Sequence, residues 1–360
     1  MTEKVTRHIM NKGILCALLA AILFGASTPF AKSLIGHTEP VLLAGLLYIG
    51  SGIGLSLWLA LRKLRRQEMA NHAALAVADV PWLAGAVLTG GIIGPVLLMT
   101  GLQHVPAASA SLLLNMEGVL TALLAWFVFH EQFDRRIFAG MLLIVLAGAL
   151  LSWGGNASAT EVSWGALWIV AACLCWAIDN NLTRRISASD AVQIAAMKGL
   201  VAGVVNMAFS LLWLELPLPS NAQLAMAGLV GFSGYGLSLV LFVLALRQLG
   251  AARTGAYFSA APFVGAALSL LMLGERPDTA FWLAAALMAV GIWLHLTESH
   301  SHFHTHARTA HAHSHSHDAH HQHAHDFPWN GDEPHSHPHE HAPLTHAHPH
   351  FPDIHHRHRH

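Results

Sequence analysis

Residues 105–131 read VPAASASLLLNMEGVLTALLAWFVFHE, and residues 249–275 read LGAARTGAYFSAAPFVGAALSLLMLGE. Each is a run of small and apolar residues that closes on a glutamate. The two lie 144 positions apart, so that Glu131 falls on Glu275, Ala107-Ala108 on Ala251-Ala252 and, just upstream, Leu102 on Leu246. Each run is long enough to cross about 30 Å of hydrocarbon at a rise of about 1.5 Å per residue. At a slightly larger offset of 152, Phe24-Gly25 falls on Trp176-Ala177. The sequence is therefore duplicated.

Working outward, ten apolar stretches are expected to be spans: 13–35, 40–61, 81–103, 105–129, 136–154, 164–186, 191–214, 222–246, 250–273 and 279–297. Of the 360 residues, 54% are hydrophobic and 11% charged, against about a quarter charged in soluble chains, so the apolar excess must face lipid. Each copy has five spans. Five is odd, so the second copy enters the membrane from the opposite side, and the pair forms an inverted-topology repeat, the architecture of alternating-access transporters. The expected fold class is an all-α integral membrane protein of ten transmembrane helices, two inverted five-helix repeats, with a disordered cytoplasmic tail. The expected divisions are an N-terminal segment (1–12), the first repeat (13–154), an external linker (155–163), the second repeat (164–297) and the tail (298–360).

Lys and Arg set the orientation. With the N-terminus inside, one face collects Lys4, Arg7, Lys12, Arg62, Lys63, Arg65, Arg66, Arg135, Arg136, Arg184, Arg185, Arg247 and Arg253, and the other only Lys32 and Arg276. Both termini are thus expected in the cytoplasm of a multi-pass inner-membrane protein. The first apolar run is too long for a signal peptide, and Pro29 and Lys32 stand where small residues would mark a cleavage site. A net charge near zero with no basic face argues against nucleic acid. Cys16, Cys173 and Cys175 all sit in apolar runs, where cysteine usually acts as a small hydrophobe.

Ten helices, a duplicated five-helix unit, and fourth and ninth helices followed by glutamate (Phe129-His130-Glu131; Leu273-Gly274-Glu275) resemble the EamA-type members of the drug/metabolite transporter superfamily. The resemblance covers about residues 13–297 and leaves the tail outside. In that family the second copy has a proline midway along its penultimate helix; Pro262 matches it, and Gly118 holds the equivalent place in the first copy. The resemblance implies small-molecule transport, often export, by a non-enzyme that needs no cofactor.

Few polar groups interrupt the spans. Glu117 lies about halfway along the fourth, next to Gly118 and two residues from Asn115. A carboxylate at that depth costs at least about 2.5 to 3.5 kcal/mol on insertion scales, so it should face a cavity or a partner, and it is the candidate proton-coupling group. Asp179 and Lys198 are each about seven residues from one membrane face on consecutive spans, roughly 10 Å deep, which suits a salt bridge that is either permanent packing or a gate. Asn180, Asn181 and Asn206 either bind substrate or glue helices together. Arg253 either attracts an anion or anchors its helix. Gly90, Gly91, Gly94 and Pro95 in the third span correspond to Gly231, Gly234 and Gly236 in the eighth, where helices either bend around a midplane site or pack closely. Gly94, Pro95, Gly118 and Pro262 are the expected helix breaks. Cys173 and Cys175 point to different helix faces and make a poor metal pair.

After Glu298 the chain changes character: 23 of the 29 histidines lie in the last 63 residues, many as His-x-His. Such a segment lacks the apolar content to pack a core. In extended backbone, residues two apart share a side, so His311, His313, His315 and His317, and His335, His337, His339 and His341, cluster imidazoles suited to Zn, Ni or Co. The leading functional expectation is a proton-driven exporter of a small organic metabolite with a metal-binding tail; the alternative is Ni, Co or Zn efflux with the tail gathering the ion. A third, a membrane-anchored metal store, needs only one helix and so does not explain the repeat. No G-x4-G-K-[ST] phosphate loop is present. The expected partners are lipid, a small molecule and transition-metal ions, with a homodimer left open.

Overall fold

A computed structural model describes residues 2–64, 77–129, 135–153, 163–186, 190–297, 301–306, 309–315, 335–341 and 344–349. The first copy consists of α1 (Thr2–Ile35), α2 (Pro40–Leu64), α3 (Val80–Ala86), α4 (Gly94–His104), α5 (Ala107–Leu113), α6 (Met116–Phe129) and α7 (Arg135–Trp153). The second consists of α8 (Trp164–Ile186), α9 (Ala191–Ala208), α10 (Asn221–Val230), α11 (Ser238–Phe258), α12 (Ala261–Leu273) and α13 (Thr279–Leu296). Eight helical stretches among the described residues are long and apolar enough to cross a membrane, and the shorter apolar helices Ala261–Leu273 and Thr279–Leu294 complete the ten. Polar residues start them: the Asp190 carboxylate accepts from the Val192 and Gln193 amides, Ser220 and Gln223 cap α10 reciprocally, and Asp278 accepts from the Phe281 amide.

The packing has the symmetry of the repeat. Counterparts α2 and α9, α5 and α12, and α7 and α13 pair with each other, while α1 packs on α11 as α8 packs on α4. Small residues make these approaches close. A Cβ on Gly52 of α2 would stand 2.4 Å from the Leu200 nitrogen, and one on Gly203 of α9 would stand 2.5 Å from the Ile49 nitrogen. Without a hydrophobic drive between helices in lipid, such backbone contact is a main source of association.

Two irregularities recur at the 144-residue offset. The third span carries a π-helical segment, Val87–Ile93, between α3 and α4, and the eighth carries another, Gly231–Leu237, between α10 and α11. Each frees main-chain carbonyls for other partners. The fourth and ninth spans both break. Leu114 and Asn115 separate α5 from α6, and Ser259 and Ala260 separate α11 from α12, with Pro262 in the first turn after the break.

At one end of the bundle the turn between α4 and α5 is gripped twice. The Lys32 ammonium donates to the carbonyls of Leu102 and of Val105, the latter at 2.9 Å. The Glu275 carboxylate accepts from the Ala107 and Ala108 amides at 2.7 and 2.8 Å. A cation thus meets the last carbonyls of one helix and an anion the first amides of the next, the groups that helix ends leave unpaired.

The tail, expected to lack regular structure, carries four strands: β1 (Ser301–His306), β2 (Thr309–His315), β3 (His335–His341) and β4 (Leu344–Pro349). β1 pairs with β4 and β2 with β3, both antiparallel. The His-x-His alternation has the period of a strand. The register sets His311 opposite His339, His313 opposite His337 and His315 opposite His335.

A cavity between the two repeats

α1, α2, α6, α8, α9, the π segment Gly231–Leu237 and α11 surround a partly open cavity. Its polar wall is Glu117, Asp179, Asn180 and Lys198. Glu117 enters through the break in the fourth span, which places it in the first turn of α6. Its Oε1 accepts a 2.7 Å hydrogen bond from the Asn180 amide. Beside it, Asp179 and Lys198 form a buried ion pair: Nζ lies 2.6 Å from Oδ1 and 2.7 Å from Oδ2, and the Thr183 hydroxyl donates to Oδ1 at 2.8 Å. Gly90 makes room for this pair, since a Cβ there would fall 1.8 Å from Asp179 Oδ2.

The remaining wall is largely aromatic. Phe24 stands edge-on to Trp176, with ring centroids 5.9 Å apart, and contacts Tyr235 at 6.0 Å and Phe258 at 5.5 Å. Tyr48 lies 5.5 Å from Tyr235, and Phe242 lies 4.8 Å from Phe258. The Tyr48 hydroxyl and the Trp176 indole both donate to the Gly90 carbonyl, at 2.7 and 3.0 Å, so the first π segment orients two of the rings.

Glu117, Asp179, Asn180 and Lys198 thus come together, whereas two other polar candidates lie elsewhere. Asn115 is buried, donating to the Leu112 carbonyl at 3.1 Å and to Met288 Sδ at 3.5 Å. It lies in the break itself, two residues before Glu117, and does not line the cavity. Asn206 donates to the carbonyls of Gly91 and Ile92 at 3.4 and 3.5 Å, satisfying the π segment. Asn181 donates to the Ala177 carbonyl one turn back. Gly94 and Pro95 begin α4 directly after the π segment. Cys173 is buried and Cys175 half-buried, both free thiols. Glu131, His317 and the side chains of Arg253 and of the tail histidines lie outside the described residues.

Sequence reasoning did not single out the ring cluster, because aromatic residues inside apolar spans are unremarkable. Phe24 and Trp176 surfaced only as matching landmarks of the two copies.

An uncharacterized transporter of Methanothermobacter thermautotrophicus is 28% identical over 299 residues, covering 78% of this chain and 85% of the relative. The uncharacterized inner membrane transporter YedA of Escherichia coli K12 is 25% identical over 283 residues, covering 77% and 88%. ArnE of Pseudomonas paraeruginosa, described as a probable 4-amino-4-deoxy-L-arabinose-phosphoundecaprenol flippase subunit, is 40% identical over 111 residues, 31% of this chain and 93% of ArnE. A solved crystal structure shares the fold with a TM-score of 0.59 at 18% identity, covering 79% of this chain and 96% of that one. The model of the EamA-like transporter family matches residues 11–153 and again 163–297, so this multi-pass membrane protein belongs to the EamA-like transporter family.

Proposed function

We propose that the chain is a proton-coupled secondary transporter that exports a small organic metabolite. The cavity between the repeats carries this reading: it holds two carboxylates in opposite circumstances. Asp179 is bound by an ammonium and a hydroxyl. Glu117 has a neutral amide for a partner. Glu117 is therefore the carboxylate that can exchange a proton without stranding a buried cation. The transporter names of the relatives, including a flippase subunit whose lipid-linked sugar bears an amine, support a small organic solute.

The excess of Lys and Arg on the face of the N-terminus favours cytoplasmic termini, which would set the Lys32 and Glu275 grip at the external end. The tail would then bind Zn, Ni or Co inside the cell as a regulator or buffer, a role that the facing histidines of β2 and β3 support. Metal efflux is the weaker reading, since no span carries two His or Asp residues one helical turn apart.

The test is transport in proteoliposomes. Glu117→Gln should insert and fold normally yet lose uptake or release driven by a pH gradient. Full pH-driven activity in that variant rejects Glu117 as the coupling group.

A further inference from the structure

The same cavity, taken as the solute site of the reading above, constrains what the solute is. Its formal charges do not balance. Lys198 is held by both oxygens of Asp179, and among the described residues no Lys, Arg or His lies within 4.0 Å of Glu117. With Glu117 ionised, one negative charge is left facing the space. Several donors of the wall are already taken. The Tyr48 hydroxyl and Trp176 indole are committed to the Gly90 carbonyl, and the Ser238 hydroxyl donates to the Ala20 carbonyl at 2.9 Å. Asn180 donates to Glu117 itself. The cavity therefore offers an acceptor and asks for a donor.

Around that acceptor stand Phe24, Tyr48, Trp176, Tyr235, Phe242 and Phe258. Aromatic faces carry partial negative charge and attract cations within about 6 Å of the ring centre, most strongly where water is excluded. They repel anions for the same reason. A neutral apolar solute would fill the rings and leave the ionised form of Glu117 uncompensated, which is costly at this depth.

We infer that the solute is an organic cation, a protonated amine on an apolar and preferably aromatic body, whose ammonium donates to Glu117 while its body lies among the rings. An anionic solute is excluded by the commitment of Lys198 to Asp179.

The test is equilibrium binding to the purified full-length protein in nanodiscs at pH 8, by titration calorimetry, with three probes that share a ring and chain: phenylethylammonium, 2-phenylethanol and 3-phenylpropanoate. The cation should bind roughly tenfold or more tighter than the alcohol, and the carboxylate weakest. Glu117→Gln should reduce the preference for cation over alcohol to within about threefold. Phe242→Leu, which keeps the apolar volume and removes a ring, should weaken the cation while leaving the alcohol nearly unchanged. No saturable binding of the cation, equal binding of cation and alcohol, or a preference for the carboxylate overturns the inference. The wild-type comparison stands alone if a variant fails to fold. Because no gradient is applied, the outcome is independent of coupling: selective cation binding without pH-driven flux overturns the transport mechanism, whereas flux of a neutral solute without cation preference overturns the inference.

Discussion

In the first copy the fourth span breaks at Leu114 and Asn115, and the helix that follows brings Glu117 to the cavity. In the second copy the ninth span breaks at Ser259 and Ala260, and at the corresponding place stands Ala261, fully buried, its carbonyl so near Gly25 that a Cβ there would lie 2.3 Å away. The two copies share the backbone device, and only the first carries a charge there. The physical reason lies in the cost of unpaired charge at this depth: one carboxylate with an exchangeable partner is affordable, whereas two facing each other would repel with little water to screen them. The charges that the second copy contributes, Asp179 and Lys198, arrive already paired. The first copy thus supplies the free charge and the second the compensated one.

That contrast can be broken by experiment. The largest effect is expected from Asp179→Asn or Lys198→Met alone, each of which strands a buried charge and should cost about 3 to 5 kcal/mol, read as loss of folded protein by thermal unfolding in detergent. The double variant should recover most of the loss; two normal single variants would show that the pair does not hold the fold. Giving the second copy the matching charge with Ala261→Glu should cost at least about 2.5 to 3.5 kcal/mol, because the site is filled and already faces main chain. If that variant were as stable as the parent, the asymmetry would not have an energetic origin. Glu117→Gln, by contrast, removes a charge that no cation answers, and unfolding should occur at the same temperature or higher. The smallest effect separates two glycines: Gly118→Ala meets nothing within 4 Å and should change stability by less than about 1 kcal/mol, whereas Gly25→Ala must push back the α12 backbone and should destabilise.

Much of this was legible in the sequence, and for identifiable reasons. Span length and a repeated glutamate are properties of the chain itself, so ten spans and two copies could be read directly. Depth counting set Asp179 and Lys198 at one level, and helical geometry did the rest. What escaped was whatever depends on rotation about a helix axis. Asn115 and Glu117 are close in sequence but only Glu117 lines the cavity, and nothing short of the break's geometry says which of them turns inward. Glycines 90, 91, 231, 234 and 236 gave away the places where helices deform, though not that the deformation is a π segment whose freed carbonyl orients Tyr48 and Trp176. The ring cluster was hidden because its members come from several helices and are individually ordinary.

The grip on the turn between α4 and α5 has a bearing on how the chain tolerates change. Lys32 and Glu275 touch only main-chain atoms of that turn, the carbonyls of Leu102 and Val105 and the amides of Ala107 and Ala108. Gln103, His104 and Pro106 point outward and are exposed. The identities of those three residues are therefore nearly free, and the specification resides 70 or more positions upstream and almost 170 downstream. Length is another matter. Deleting one residue would shift the backbone by up to about 3.8 Å, more than a hydrogen bond can span, and would pull the carbonyls from the lysine and the amides from the glutamate together. At this end of the molecule drift in sequence is harmless and drift in register is not.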